Sequence, residues 1–359
     1  MARAAALNRE FWQGRRVLLT GHTGFKGAWT AAMLVDLGAT VTGIALAPDS
    51  EPNLWALFDG RLAIDSAIGD LRDLAATREV CRRARPEIVV HMAAQALVPR
   101  GYRLPAETFS SNLIGTVNLL EALRGQDAVE TLLVVTSDKV YRNKGDDVAF
   151  KEDGELGGSD PYSASKAAAE LIVRSYAESF FDARGVPVAT ARGGNVLGGG
   201  DFAPERLLPD VFRAAQEKRA VTLRYPHARR PWQHVLDCIC GYLRYAEHLH
   251  GQGRALPPAL NFGPLDGGGH MTVAEIAQVV GRRLGNAIPW EAASTEFAPE
   301  KQQLRLNCRL AKEVLGWSPR LGLNDTLDWT AEWYAAFAKG GDPLNLVRGQ
   351  IERYLRGGE

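Results

Sequence analysis

The chain has 359 residues, 46% apolar and 23% charged, and its 42 Lys and Arg equal its 42 Asp and Glu. Such a length accommodates two lobes over a substantial core, and the composition is that of an ordinary globular protein. With no net field to draw in a polynucleotide or a membrane surface, neither is expected as a partner.

The opening "MARAAALNREFWQG" lacks a long apolar core, so no secretory signal is expected. Nowhere do about eighteen apolar residues run together as a spanning helix requires. Cys81, Cys238, Cys240 and Cys308 form no C-x-x-C pair. They read as structural thiols of a reducing cytoplasm, and no metal site is expected.

"RRVLLTG" is strand-like, and "GAWTAAMLVDLG" is a helix that stops at Gly38. "ATVTGIAL", "EIVVHMAA", "TLLVVTS" and "PVATARGGNVLG" are further apolar runs separated by helical stretches. Strands that are apolar throughout and alternate with helices imply a doubly wound parallel α/β sheet, covered on both faces. From about Gly198 the texture changes to Pro, Arg and aromatic residues, then to the irregular "ALNFGPLDGGGHMT" and a mostly helical end. The expected organisation is a dinucleotide-binding Rossmann domain over residues 1–190, with return segments near 228–264. A smaller, mostly helical substrate lobe is expected mainly within 191–359. Ligands of such sheets bind beyond the carboxyl ends of the strands, so the cleft should lie between the lobes.

The glycines Gly21, Gly24 and Gly27 are spaced G-x-x-G-x-x-G directly after the first strand and open a helix. They permit a tight turn and close backbone approach, and the helix N-terminus supplies donors for a pyrophosphate. Phe25 lies in the same turn, and His22 and Lys26 there are candidates to face the pyrophosphate or the nicotinamide side. An acid that would hold a ribose is missing: Ile44 or a neighbour takes its place, and the nearest acids are Asp49 and Glu51. No Arg or Lys occurs between Lys26 and Arg61 to bind a 2′-phosphate, which favours NAD over NADP, loosely held. Asp70 and Leu71 in "GDLRD" are placed to meet the adenine. Ala93, Ala94 and Gln95 in "HMAAQ" end a strand near the nicotinamide half, whereas His91 within that strand reads as a core histidine.

"DPYSASKAAAEL" puts Tyr162 and Lys166 four apart at a helix start, on one face. A neighbouring ammonium is expected to lower the phenol pKa and make Tyr162 a base for a sugar hydroxyl. The spacing by itself is common. Combined with the glycine turn and with Ser137, Asp138 and Lys139, which end the apolar run "VVTSDK", it defines a constellation. Alone, that adjacent acid and amine would read as a surface dipeptide.

In this order "TGHTGFKG", "HMAAQ", "TSDKVY", "DPYSASK", "GGNVLGGGD" and "RPWQHV" resemble the extended short-chain dehydrogenase/reductases that act on nucleotide sugars. Within them the motifs are most similar to the 4,6-dehydratases of CDP-linked hexoses, over nearly the whole chain. The resemblance implies NAD as cofactor, with Thr136, Tyr162 and Lys166 beside it, and a nucleotide-sugar substrate. It implies oxidation at C4, elimination of water across C5 and C6, and hydride return to C6. Asp138 would be the acid, Lys139 the base, and Ser137 would assist Tyr162. It also implies that Asn195 and Arg230, and less strongly Arg305, contact the substrate, with "LRYP" near the base, whereas Arg206 and Arg229 read as solvated charges. Asp138 must then hold a proton at working pH and Lys139 must be able to lose one. The alternatives are a dehydratase or 4-epimerase of another nucleotide sugar and a catalytically silent NAD-binding protein. "SDK" and the intact Tyr162 and Lys166 count against the last two. A homodimer is expected by the same resemblance, although the apolar spacing of "NLIGTVNLLEAL" equally suits a sheet-facing stripe.

Overall fold

The computed structural model describes residues 7–145, 148–264, 271–285, 288–294 and 304–357. The apolar runs form the strands β1 (Arg16–Thr20), β2 (Thr40–Ala45), β3 (Asp65–Ile68), β4 (Ile88–His91), β5 (Thr131–Val135) and β6 (Val188–Gly193). A seventh strand, β7 (Ala259–Phe262), completes one sheet of order β7-β6-β5-β4-β1-β2-β3 in which all neighbours are parallel. The segment "ALNFGPLDGGGHMT", expected to be irregular, therefore begins as the edge strand. Its residues 265–270 lie outside the described residues, as do residues 1–6 of the opening stretch.

Successive residues of a strand face opposite sides of the sheet. Val17 and Leu19 enter one core and Leu18 the other; Ile88 and Val90 oppose Val89, and Leu133 and Val135 oppose Leu132 and Val134. A strand buried on both faces has no polar phase, which is why these runs are apolar throughout. Each such buried side chain contributes about 1.5–3 kcal/mol. The first core is closed by helices α1 (Phe25–Asp36), α6 (Val235–Gln252), α8 (Leu323–Ala338) and α9 (Pro343–Arg356). The second is closed by α2 (Leu74–Ala84), α3 (Gly115–Arg124) and α4 (Pro161–Tyr176). Leu119, Leu120 and Leu123 belong to that second core, so this part of "NLIGTVNLLEAL" is a sheet-facing stripe.

A third apolar cluster gathers Leu208 and Val211 of α5 (Leu207–Glu217), Ile276 and Val280 of α7 (Val273–Arg283), and Val221, Leu223 and Trp232. Helix α8 joins it to the sheet, giving Leu327 and Ala331 to this cluster and Trp333 and Tyr334 to the first. All four cysteines are buried free thiols. Among the described residues no helix is long and apolar enough to cross a membrane.

Candidate active site

The sheet reverses its winding between β1 and β4, and a crevice opens there. Gly21 follows β1 with φ +77°; a Cβ on it would lie 2.8 Å from the backbone of Ala93, and one on Gly27 would lie 2.0 Å from the Gly21 carbonyl oxygen. Both positions exclude a side chain. Thr20 joins the two strand ends, its hydroxyl accepting from the amides of Met92 and Ala93 at 3.0 Å each. Gly24 opens α1 without a side-chain cap, and the first turn holds no acid. The turn thus leaves helix N-terminal amides, with Lys26 among them, available to an anion.

A hollow of about 340 Å³ lies beyond these strand ends. Gly21, Gly24, Phe25, Lys26 and Gly27 line it from the turn, Asp70 and Leu71 from the loop after β3, and Ala93, Ala94 and Gln95 from the loop after β4. Thr136, Tyr162 and Lys166 line it as well. The cradle of excluded side chains and free amides fits the pyrophosphate of NAD. Asp70 is held by Arg72, which pulls its carboxyl below the ordinary range. Asp49 also lines the hollow, paired with Arg100 at 3.1 Å.

His22 is the exception among the residues proposed for the cofactor. It lies buried beneath the turn, its Nε2 2.7 Å from Ser66 Oγ and its ring edge-on to Trp55. A Cβ on Gly43 would come within 2.5 Å of that ring, so the imidazole fills the space this glycine leaves. Burial lowers its pKa to about 4. His91 is a core histidine, bonded at both ring nitrogens to Thr20 and Thr116, and burial lowers its pKa to about 3.

A second hollow, about 460 Å³, adjoins the first; Lys26, Thr136, Tyr162 and Arg206 line both. Ser137, Asp138, Lys139, Asn195 and Arg230 line the second and not the first, with Leu223, Arg224 and Tyr225 of "LRYP". Tyr162 occupies the first turn of α4, where Asp160 caps the helix by accepting from the Ser163 amide. Asp138 follows β5 in a short 3₁₀ turn capped by Ser137, whose hydroxyl accepts from the Lys139 amide at 3.2 Å.

Asp138 is buried, and its Oδ1 accepts from Ser137 Oγ at 3.0 Å whereas its Oδ2 has no protein partner. Burial raises its pKa, against the lowering effect of Lys139, Ser137, Arg230 and Lys26. Tyr162 is also raised by burial, with Asp138 adding to the shift. Ser137 and the charges of Lys139 and Arg206 pull the other way. The expectation of a lowered phenol pKa thus does not hold in the protein alone, because desolvation of a buried phenolate outweighs the neighbouring cations. Burial also lowers Lys166 to about 7, helped by Lys26 and opposed by Glu170.

Two arginines depart from expectation. Arg305 lies in a two-residue strand, Arg305–Leu306, paired with Ala149–Phe150, and lines neither hollow. Arg206, read as a solvated charge, instead pairs with buried Asp201 at 3.0 Å and lines both hollows. No local pattern marks it; its place follows from how the helical lobe folds over the sheet. Arg230 is buried, donating to the Arg229 carbonyl oxygen at 2.9 Å, and Arg229 is exposed.

The profile of the NAD dependent epimerase/dehydratase family matches residues 17–256. The CDP-glucose 4,6-dehydratase of Salmonella typhimurium is 39% identical over 354 residues, 97% of this chain and 98% of that protein. A dTDP-glucose 4,6-dehydratase of Xanthomonas campestris pv. campestris is 28% identical over 338 residues, 88% of this chain and 92% of that one. A solved dTDP-glucose 4,6-dehydratase from Bacillus anthracis, in complex with NAD, shares the fold: its TM-score is 0.74 at 23% identity, covering 92% of this chain and 100% of the other. With the glycine turn, the parallel sheet and the matched profile on one chain, this protein belongs to the NAD dependent epimerase/dehydratase family.

Proposed function

We propose that the chain is a lyase that converts CDP-glucose to CDP-4-keto-6-deoxyglucose and water. The structural observation that carries the reading is Asp138, a buried carboxyl with one unpartnered oxygen, set beside Lys139 and Tyr162 where two hollows meet. The choice of cytidine sugar rests on the 39% identity, over nearly both full lengths, to a protein of that activity.

NAD, when bound along the glycine turn, supplies the acceptor that takes hydride from C4 and returns it to C6. Tyr162 takes the C4 hydroxyl proton, with Ser137, Lys139 and Arg206 acting toward the phenolate against the burial that raises its pKa. The resulting ketone acidifies the C5 hydrogen. Lys139 takes that proton while Asp138, whose pKa burial raises, gives its own to the departing C6 oxygen, which leaves as water. Lys139 then returns its proton to C5. Ser137, which donates to Asp138 and lines the same hollow as Tyr162, is placed to connect the phenol that gained a proton to the carboxylate that lost one, so the proton count closes. Arg230, Asn195 and Arg206 are suited to hold the diphosphate.

We assign cofactor binding to residues 1–190, with return segments near 228–264, and most substrate contacts to 191–359; the separate third apolar cluster supports this division. Buried free thiols suit a cytoplasmic setting. A homodimer is supported by Ile114, 49% exposed, and Leu171, 60% exposed, on neighbouring helical segments. Light scattering of Leu171→Glu should report a smaller species, and an unchanged mass would remove this face from consideration.

The test of function is a substrate panel. Purified protein with NAD is offered CDP-, UDP-, dTDP- and GDP-linked hexoses, and mass spectrometry follows loss of one water. Loss from CDP-glucose is expected. Loss only from another sugar would keep the chemistry and reject the substrate, and loss from none would reject both.

A further inference from the structure

Behind the two hollows lies a buried ion pair that touches neither. Arg192 of β6 grips Glu170 of α4 through two parallel bonds, Nε to Oε1 at 3.0 Å and Nη2 to Oε2 at 2.9 Å. Their side chains are 5% and 4% exposed, and neither residue lines either of the two hollows. The Glu170 carboxylate also accepts from the hydroxyls of Thr136, just past β5, and of Thr190 in β6.

The remaining arginine nitrogen, Nη1, donates to the Tyr141 hydroxyl and to the Glu152 carbonyl oxygen, both at 2.8 Å. The guanidinium lies over the Tyr141 ring, 5.0 Å from its centre. Tyr141 in turn donates to Asn261 of β7 at 2.7 Å and stacks on Phe150.

The sequence positions give this pair its meaning. Glu170 is one turn beyond Lys166 and two beyond Tyr162, on the same face of α4. Thr136 precedes Ser137, and Tyr141 follows Lys139 by two residues. The pair therefore holds the loop with Asp138 and Lys139 at both its ends, and the helix with Tyr162 at its inner face. A buried ion pair is a poor source of net stability, since an apolar pair of equal volume serves as well, but its fork geometry allows a single arrangement.

We propose that Glu170 and Arg192 are positioning residues that set the loop of Asp138 and Lys139 against Tyr162 and Lys166, keeping the oxidising and eliminating groups on one sugar. This rests on the dehydratase reading above. Lys166 reports the same contact, since it is faced by Lys26 from α1, by Glu170 from its own helix and by His91 from β4.

The test uses the full-length enzyme with NAD and CDP-glucose. The double variant Glu170→Leu with Arg192→Met conserves apolar volume and leaves no orphaned charge. It should unfold cooperatively at or above the parental temperature and bind NAD as the parent does. Its kcat should fall about 100-fold with KM within about threefold, the signature of misplaced rather than missing groups. Parental kcat in the folded double variant would overturn the proposal. Should that variant not fold, Arg192→Lys keeps the charge without the fork and should lower kcat about tenfold at unchanged KM; parental kcat there is equally fatal. If the parent itself dehydrates no nucleotide sugar, the functional reading fails separately. The positioning claim is then read from the Lys166 titration in lysine-labelled protein by NMR. It should move to lower pH once the Glu170 anion is gone, and an unmoved midpoint would overturn the claim.

Discussion

Lys166 donates from Nζ to the carbonyl oxygen of Val135 at 3.1 Å, tying the helix of Tyr162 to the last residue of β5. This bond places the phenol and the loop of Asp138 and Lys139 against the same hollow. Burial, however, sets the resting charges: Lys166 is lowered to about 7, and Tyr162 and Asp138 are both raised. Burial thus acts against the charged form of all three groups, while the charges of Lys139 and Arg206 act toward the Tyr162 phenolate.

Tyr162→Phe removes the hydroxyl and nothing else from the junction of the hollows. Turnover should fall about 10²–10⁴-fold. NAD and CDP-glucose should bind with parental affinity in calorimetric titrations. A variant that loses binding but keeps turnover would contradict the assignment.

Lys139→Ala should leave oxidation at C4 possible and stop proton removal at C5. Reduced cofactor should then accumulate on the enzyme, visible by its absorbance after mixing with CDP-glucose, without the dehydrated product. Full elimination activity would show that another group is the base.

Asp138→Asn separates function from stability. Because the folded carboxyl pKa lies above its unfolded value, its contribution to stability is complete below the unfolded pKa and is lost as pH rises through the folded one. Asparagine removes that loss. The variant should melt about 2 °C above the parent at neutral pH, with the gap closing toward acid, while turnover falls about 10²–10³-fold. Equal melting temperatures across the range would show that no such burden is carried at this position.

Gly21→Ala forces a Cβ to within 2.8 Å of the Ala93 backbone from a left-handed φ. The ends of β1 and β4 must then part, at a cost of about 1–3 kcal/mol. Denaturant titration should show that loss, and the NAD dissociation constant should rise about tenfold or more. Parental values of both would remove the turn from the cofactor site.

Much of the sheet and of the candidate constellation can be read from local spacing. β1, β4 and β5 are apolar at every position because each residue feeds one of two cores, and that signature survives in the bare sequence. β7 does not stand out: it is four residues long and contains Asn261, whose buried amide is satisfied by partners more than 100 residues away in Phe150 and Tyr141. The glycine turn, Ser137–Lys139 and the Tyr162–Lys166 spacing are legible because each needs only its own few residues to define its geometry.

What the sequence determined by itself is therefore the strand–helix alternation, the glycine turn and the candidate group Asp138, Lys139, Tyr162 and Lys166, all encoded within a turn or two of chain. Only the tertiary structure decided where the remaining polar side chains go. His22 turns under the sheet because Gly43 leaves it room, Arg206 enters the cleft because Asp201 waits there, and Glu170 meets Arg192 behind the loop. Charge and ring placement depend on which distant segments are packed alongside, and burial then sets the pKa values, a quantity that spacing along a chain does not contain.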